Sequence, residues 1–222
     1  MPTINIMFIT VNQNTLTLTP GSEIILQYQT WDDYENLLEI RQEKPLPKIY
    51  FHAKTNTIRL MSPLPSHGNR VDILRDLVKS LLGKQGKDWH CFDPITLKHF
   101  KQAGVEPDTC FYIDHRDAIL GKEKLDLSVD PPPDLAIEVD FTSLTDIEAY
   151  QTLKIPELWI YRQSILKIYR LVGENYQESS TSGIFANVNV KEILPKYVEL
   201  AWNQGSSVAL RQFEQEYLNK IN

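Results

Sequence analysis

The chain has 222 residues, 42% hydrophobic and 23% charged, an ordinary composition for a folded domain with a sizeable core. It contains no run of about 20 apolar residues that could span a membrane. Its net charge of −6 argues against a protein that coats nucleic acid without specificity.

In chain order, Ile4, Ile6 and Phe8 alternate as in an opening strand. Met1 to Asn12 has no basic residue, so a signal peptide is not expected. Short strands are expected up to residue 25 around the turn Pro20-Gly21. Trp31, Tyr34, Leu37 and Leu38 have helical spacing behind Thr30, a good N-cap. Lys48 to Phe51 and Thr57 to Met61 read as strands joined through Lys54-Thr55-Asn56. Val71, Leu74, Leu77, Val78, Leu81 and Leu82 form one face of a helix. Gly83 is its expected stop and His67 stands at its start.

Cys91-Phe92 and Glu106 to Ile113 read as further strands. Thr145 with Glu148 fits a capping box for a helix from about Asp146 to Leu153. Leu158 to Arg162 and Ile165 to Val172 form a plausible hairpin around Gln163-Ser164. A loop rich in Ser and Gly and then amphipathic helices follow, ending in Phe213, Tyr217 and Leu218. This order predicts a mixed α/β sheet flanked by helices. Cys91 and Cys110 read as free thiols of a cytoplasmic protein, and the five histidines show no zinc-ligand spacing.

The stretch from Pro133 to Phe141 carries the most information. Leu135, Ile137, Val139 and Phe141 alternate with Ala136, Glu138 and Asp140, so the two acids share the second face of a strand, roughly 7 Å apart. Two such carboxylates repel each other unless the face is open to water or a metal, Lys or Arg compensates them. Charge is concentrated around them. From Asp114 to Glu148 ten acids face three bases, a local sum of −7, while Arg70 to Lys101 holds seven bases against four acids. Asp108 starts another strand. Asp108, Glu138 and Asp140 could converge on one or two Mg²⁺ or Mn²⁺ ions, which activate water and neutralise charge at a phosphodiester. His67 is a candidate phosphate contact. Asp134, after three prolines, reads as a strand-end acid.

Glu106-Pro107-Asp108-Thr109-Cys110-Phe111-Tyr112-Ile113, the run Asp130 to Ser143, Ile155-Pro156-Glu157-Leu158-Trp159-Ile160-Tyr161-Arg162 and Leu60-Met61-Ser62-Pro63-Leu64-Pro65-Ser66-His67 resemble the Uma-type family of restriction-endonuclease-like proteins. The resemblance covers roughly residues 28–215. That family is similar to the PD-(D/E)xK nucleases. The resemblance implies a restriction-endonuclease-like domain over residues 28–222, behind an N-terminal β extension over residues 1–27. It also implies Mg²⁺- or Mn²⁺-dependent endonuclease action on DNA, and a homodimer. Asp108 matches the first acid of the motif and Glu138 the acid of its E-x-K element.

Four positions depart from the pattern. Asp140 stands where the motif has Lys, and Asp146 where some relatives carry a substitute Lys. Arg59 and Gly68 replace glutamates common in relatives. Lys154 ends the helix after Asp146. A catalytically silent nuclease-fold module, binding nucleic acid or a protein partner, is the second reading of these departures.

Overall fold

The computed structural model describes residues 10–12, 15–42, 44, 46–141 and 144–220. The strand expected through Ile4, Ile6 and Phe8 lies outside the described residues. In chain order the elements are β1 (Thr10–Asn12), β2 (Thr15–Thr17), β3 (Glu23–Leu26), α1 (Trp31–Arg41), β4 (Lys48–His52), β5 (Thr57–Met61) and α2 (Pro65–Lys84). Next come β6 (His90–Phe92), β7 (Leu97–His99), β8 (Ala103–Val105), β9 (Thr109–Tyr112), α3 (Arg116–Ile119), β10 (Leu135–Val139) and α4 (Ile147–Thr152). The chain closes with β11 (Glu157–Arg162), β12 (Ile165–Val172), β13 (Asn175–Ser179), α5 (Val190–Gln204) and α6 (Ser206–Glu216).

Six strands form one sheet in the order β13-β12-β11-β10-β9-β6. Five form a second sheet in the order β3-β5-β4-β8-β7, so β3 is bonded to β5. β1 and β2 pair with each other. β10 is central in the six-stranded sheet, parallel to β11 and antiparallel to β9. Its two faces meet different layers. Leu135, Ile137 and Val139 pack with Ile73, Leu74, Leu77 and Leu81 of α2, Leu194 and Val198 of α5 and Phe213 of α6. Each such buried aliphatic side chain contributes roughly 2 kcal/mol of hydrophobic stabilisation. On the other face Ala136, Leu158 and Ile160 pack with Ala149 and Tyr150 of α4 and with Tyr50 and Val105 from the five-stranded sheet. The face that holds Glu138 is therefore covered by protein.

α1 covers the far side of the five-stranded sheet, where Trp31 and Tyr34 pack on Ile49, Phe51, Ile58 and Leu60. Thr30 caps α1 as expected, in a reciprocal box with Asp33. Gly104 of β8 passes beneath Tyr34, where a Cβ would collide with the hydroxyl. Strand alternation decides what β4 presents to its two sides. Ile49 and Phe51 face α1, whereas Lys48, Tyr50 and His52 face the six-stranded sheet and α4.

Several local expectations shift. Helix α2 runs through Gly83 to Lys84, and the positive φ of 66° falls on Gly86. The cap of α4 is Asp146, whose carboxylate accepts from the Ala149 amide (3.2 Å), because the Thr145 hydroxyl is donated to Asp140 instead. Phe141 lies beyond the end of β10 and is 39% exposed, so it does not extend the buried stripe. The β11–β12 hairpin turns at Gln163 and Ser164, whose φ values of 50° and 61° suit the twist of a two-residue connection.

Candidate active site

The chain crosses from the five-stranded to the six-stranded sheet between β8 and β9, and Asp108 sits at that crossing. The β9–β10 register pairs Ile137 with Thr109, so one further step sets Glu138 beside Asp108. The Asp108 amide donates to Glu138 Oε2 (3.3 Å), and the Val139 amide donates to Asp108 Oδ2 (2.8 Å). Each acid is thus fixed by the other's strand. The tip of β4 supplies a cation. The Lys48 ammonium donates to Asp108 Oδ1 and to the Glu106 carbonyl (3.2 Å). His67, on the first turn of α2, brings Nε2 to 2.8 Å from the same Asp108 oxygen. The Tyr150 hydroxyl of α4 donates to Glu138 Oε1.

Lys48, His67, Asp108 and Glu138 are all buried. Burial opposes the charge on Asp108, but Lys48 and His67 outweigh it and hold its carboxyl well below the usual carboxylate range. Burial pushes Glu138 well above that range, and the adjacent Asp108 charge pushes it further. Burial would strip Lys48 of its proton, yet Asp108 and Glu138 raise its pKa and keep it an ammonium. Burial and mutual repulsion thus favour a single negative charge on the carboxyl pair, set against the Lys48 ammonium.

Two clefts flank it. Lys48, His67 and Asp108 line an open cleft of about 320 Å³ together with Pro63, Gly68 and Arg75. A second cleft of about 250 Å³ is bounded by Tyr50, His52, Arg59, Asp146 and Tyr150. Glu138 meets this second cleft through the Tyr150 hydroxyl.

The structure brings Asp108, Glu138 and His67 together. It does not bring in Asp140, whose carboxylate accepts from the Thr145 amide (3.0 Å) and hydroxyl (2.7 Å) while its own amide bonds Tyr161 (2.9 Å). Asp134 accepts from the Ile113 (2.6 Å) and His115 (3.1 Å) amides, a strand-end role. Asp146 pairs with His52 Nδ1 at 2.8 Å. Lys154 points instead to Glu174 (3.3 Å) at the surface. Arg59 stacks over Tyr50 (4.7 Å) and pairs with Glu23 (3.3 Å). Sequence reasoning missed Lys48, and its one signal is a lysine opening a strand that is otherwise apolar or aromatic up to His52.

Two carboxylates with hard oxygen donors suit a Mg²⁺ ion that keeps several waters and takes its other ligands from a substrate phosphate. Among the described residues no group of three or more His, Cys, Asp or Glu forms a closed metal cage. The donor set therefore fits a hydrated ion bound by Asp108 and Glu138, on condition that the Lys48 ammonium leaves Asp108 Oδ1 and Glu138 gives up its proton.

Fold and cluster define a restriction-endonuclease-like α/β protein with a buried carboxylate pair. The chain belongs to the Uma2 family, described as "Putative restriction endonuclease", whose model matches residues 31–203. Among solved structures it is similar to a protein from Anabaena variabilis described as a "putative nuclease belonging to DUF820". That match has a TM-score of 0.52 at 14% identity, and covers 76% of this chain and 98% of the other. At this identity the likeness speaks for the fold. No curated protein matches the chain. Among the described residues no helix is long and apolar enough to cross a membrane.

Proposed function

We propose that this chain is a metal-dependent endonuclease that hydrolyses phosphodiester bonds of DNA. The observation that carries the reading is the hydrogen-bonded pair Asp108–Glu138 with the Lys48 ammonium on its open side. Asp108 and Glu138 would hold Mg²⁺ or Mn²⁺, which when bound activates water and offsets charge on the phosphate. Lys48 arrives from β4 and would take the part of the lysine that Asp140 replaces in the E-x-K element. Released from Asp108, its ammonium stays in the cleft wall, where it can donate to a phosphate oxygen. His67 holds the Asp108 carboxylate in orientation, and its place in the same wall puts it within reach of a phosphate. The test is incubation with plasmid and single-stranded DNA in Mg²⁺ and in Mn²⁺, beside Asp108→Ala and Glu138→Ala. Cleavage by the native chain alone is expected; equal cleavage by all three, or by none, sinks the reading.

One observation favours a second reading, the catalytically silent module. Asp108 Oδ1 already has an internal cation, and a built-in ammonium can replace a metal as counter-charge. On that reading nucleic acid binds equally well in chelator and without Glu138.

A further inference from the structure

A second constellation, Arg70 with Phe141 and Trp202, lies beside the carboxylate pair and takes no part in it. His67 and Arg70 are three residues apart on α2 and so project to one side. His67 reaches Asp108, and its ring lies 6.2 Å from that of Phe141. Arg70 lies between two aromatic rings, its guanidinium 4.9 Å from the Phe141 centroid and 4.5 Å from that of Trp202. Arg70 itself is buried, held by the Ser66 carbonyl (3.2 Å) and by Glu199 at 3.8 Å. The rings are not: Phe141 is 39% exposed and Trp202 48%. Here a fixed cation splints two rings that leave apolar surface in water, at the edge of the candidate active site.

We propose that Phe141 and Trp202, splinted by Arg70, form a stacking platform for an unpaired nucleobase, so that the substrate is single-stranded or locally opened nucleic acid. This rests on the reading that the neighbouring centre acts on nucleic acid. Aromatic side chains stack on the flat face of any base, and Arg70 holds the two rings in place by cation–π attraction. Bases inside a duplex have those faces covered. The charge of the chain points the same way. The net charge is −6, and stacking supplies attraction that needs no positive surface.

The test is binding of fluorescein-labelled oligothymidylate, oligouridylate and a duplex of matched length, in chelator so that no cleavage intervenes. The native chain is expected to prefer a single strand over the duplex, and to show quenching of tryptophan fluorescence on binding. Trp202→Ala should weaken single-strand binding about tenfold, the scale of one lost stacking contact, while Trp202→Phe retains most of it without the quench. Whether deoxyribose or ribose strands bind tighter identifies the source of the base. Unchanged affinity in Trp202→Ala overturns the platform, as does equal affinity for the duplex. Should Trp202→Ala fail to fold, the quench decides, since equal quenching in Trp202→Phe also overturns it. A platform that binds in a chain that never cuts rejects the nuclease reading alone. Cleavage that needs Asp108 but ignores Trp202 rejects the platform alone.

Discussion

Glu106 and Asp108 stand two residues apart, both buried, and each meets a cation from the first 50 residues. Glu106 is fully used. Arg41 grips both its oxygens (2.6 and 2.7 Å), the Thr96 hydroxyl adds a bond at 2.6 Å and the Ile49 amide another at 2.8 Å. It lines neither of the two clefts that flank the cluster. Asp108 has a second carboxylate beside it, faces open space, and is balanced by a single-headed ammonium rather than a bidentate fork. A buried acid is therefore no sign of chemistry by itself. The sign is a buried acid that shares its counter-charge with a second carboxyl group and borders a cleft.

The largest expected effect separates the two acids by function. Asp108→Ala should lower DNA cleavage at least about 100-fold, beyond the usual cost of losing an outer metal contact. Glu106→Ala should leave cleavage per folded molecule nearly intact; a matching loss there would erase the distinction. Stability should rank them the other way. Glu106→Ala takes the buried partner from the partly buried Arg41, and losing such a pair costs up to about 3–5 kcal/mol, readable from urea unfolding. Glu138→Gln removes a carboxyl whose ionised form is disfavoured, so its cost should stay under about 1 kcal/mol. A fall as large as that of Glu106→Ala would show that Glu138 is structural.

The smallest effect concerns Asp146. Burial works against its charge, but His52, its hydrogen bond to Ala149 and Arg59 lower its pKa. A lowered native pKa stabilises above the unfolded value of roughly 3.9 and loses that contribution as pH falls through the native value. With its side chain 37% exposed, solvent screening keeps the contribution under about 1 kcal/mol. Asp146→Asn should therefore be slightly less stable near neutral pH and converge with the native chain in acid. A gap that persists at low pH would assign the loss to packing.

Much of the site was legible because it obeys a short-range rule. Alternation along residues 133–141 put Glu138 on one face, and the E-P-D run put Asp108 at a strand start. The same alternation overreached at Asp140, because β10 ends at Val139 and the chain beyond it is free to turn its carboxylate to Thr145. Lys48 was illegible for the opposite reason. It reaches Asp108 across a separation of 60 residues and between two sheets, and nothing local marks it. β13 escaped notice because Tyr176 is the one large apolar residue in a five-residue edge strand. Strands β7 and β8 are three residues each, too short for a period to show.

The Lys48–Asp108 pair also orders the assembly of the chain. Asp108 and Glu138 are 30 residues apart, while Lys48 is twice as far from Asp108 as Glu138 is. Each doubling of loop length costs only about 0.6 kcal/mol more to close, so the separations tilt assembly modestly towards pairing of β9 with β10 ahead of the docking of β4. On that order, the docking of the five-stranded sheet is the step that supplies the pair with the Lys48 counter-charge. Refolding kinetics of Lys48→Met should show this as a φ-value near zero, with the lost stability appearing in the unfolding rate.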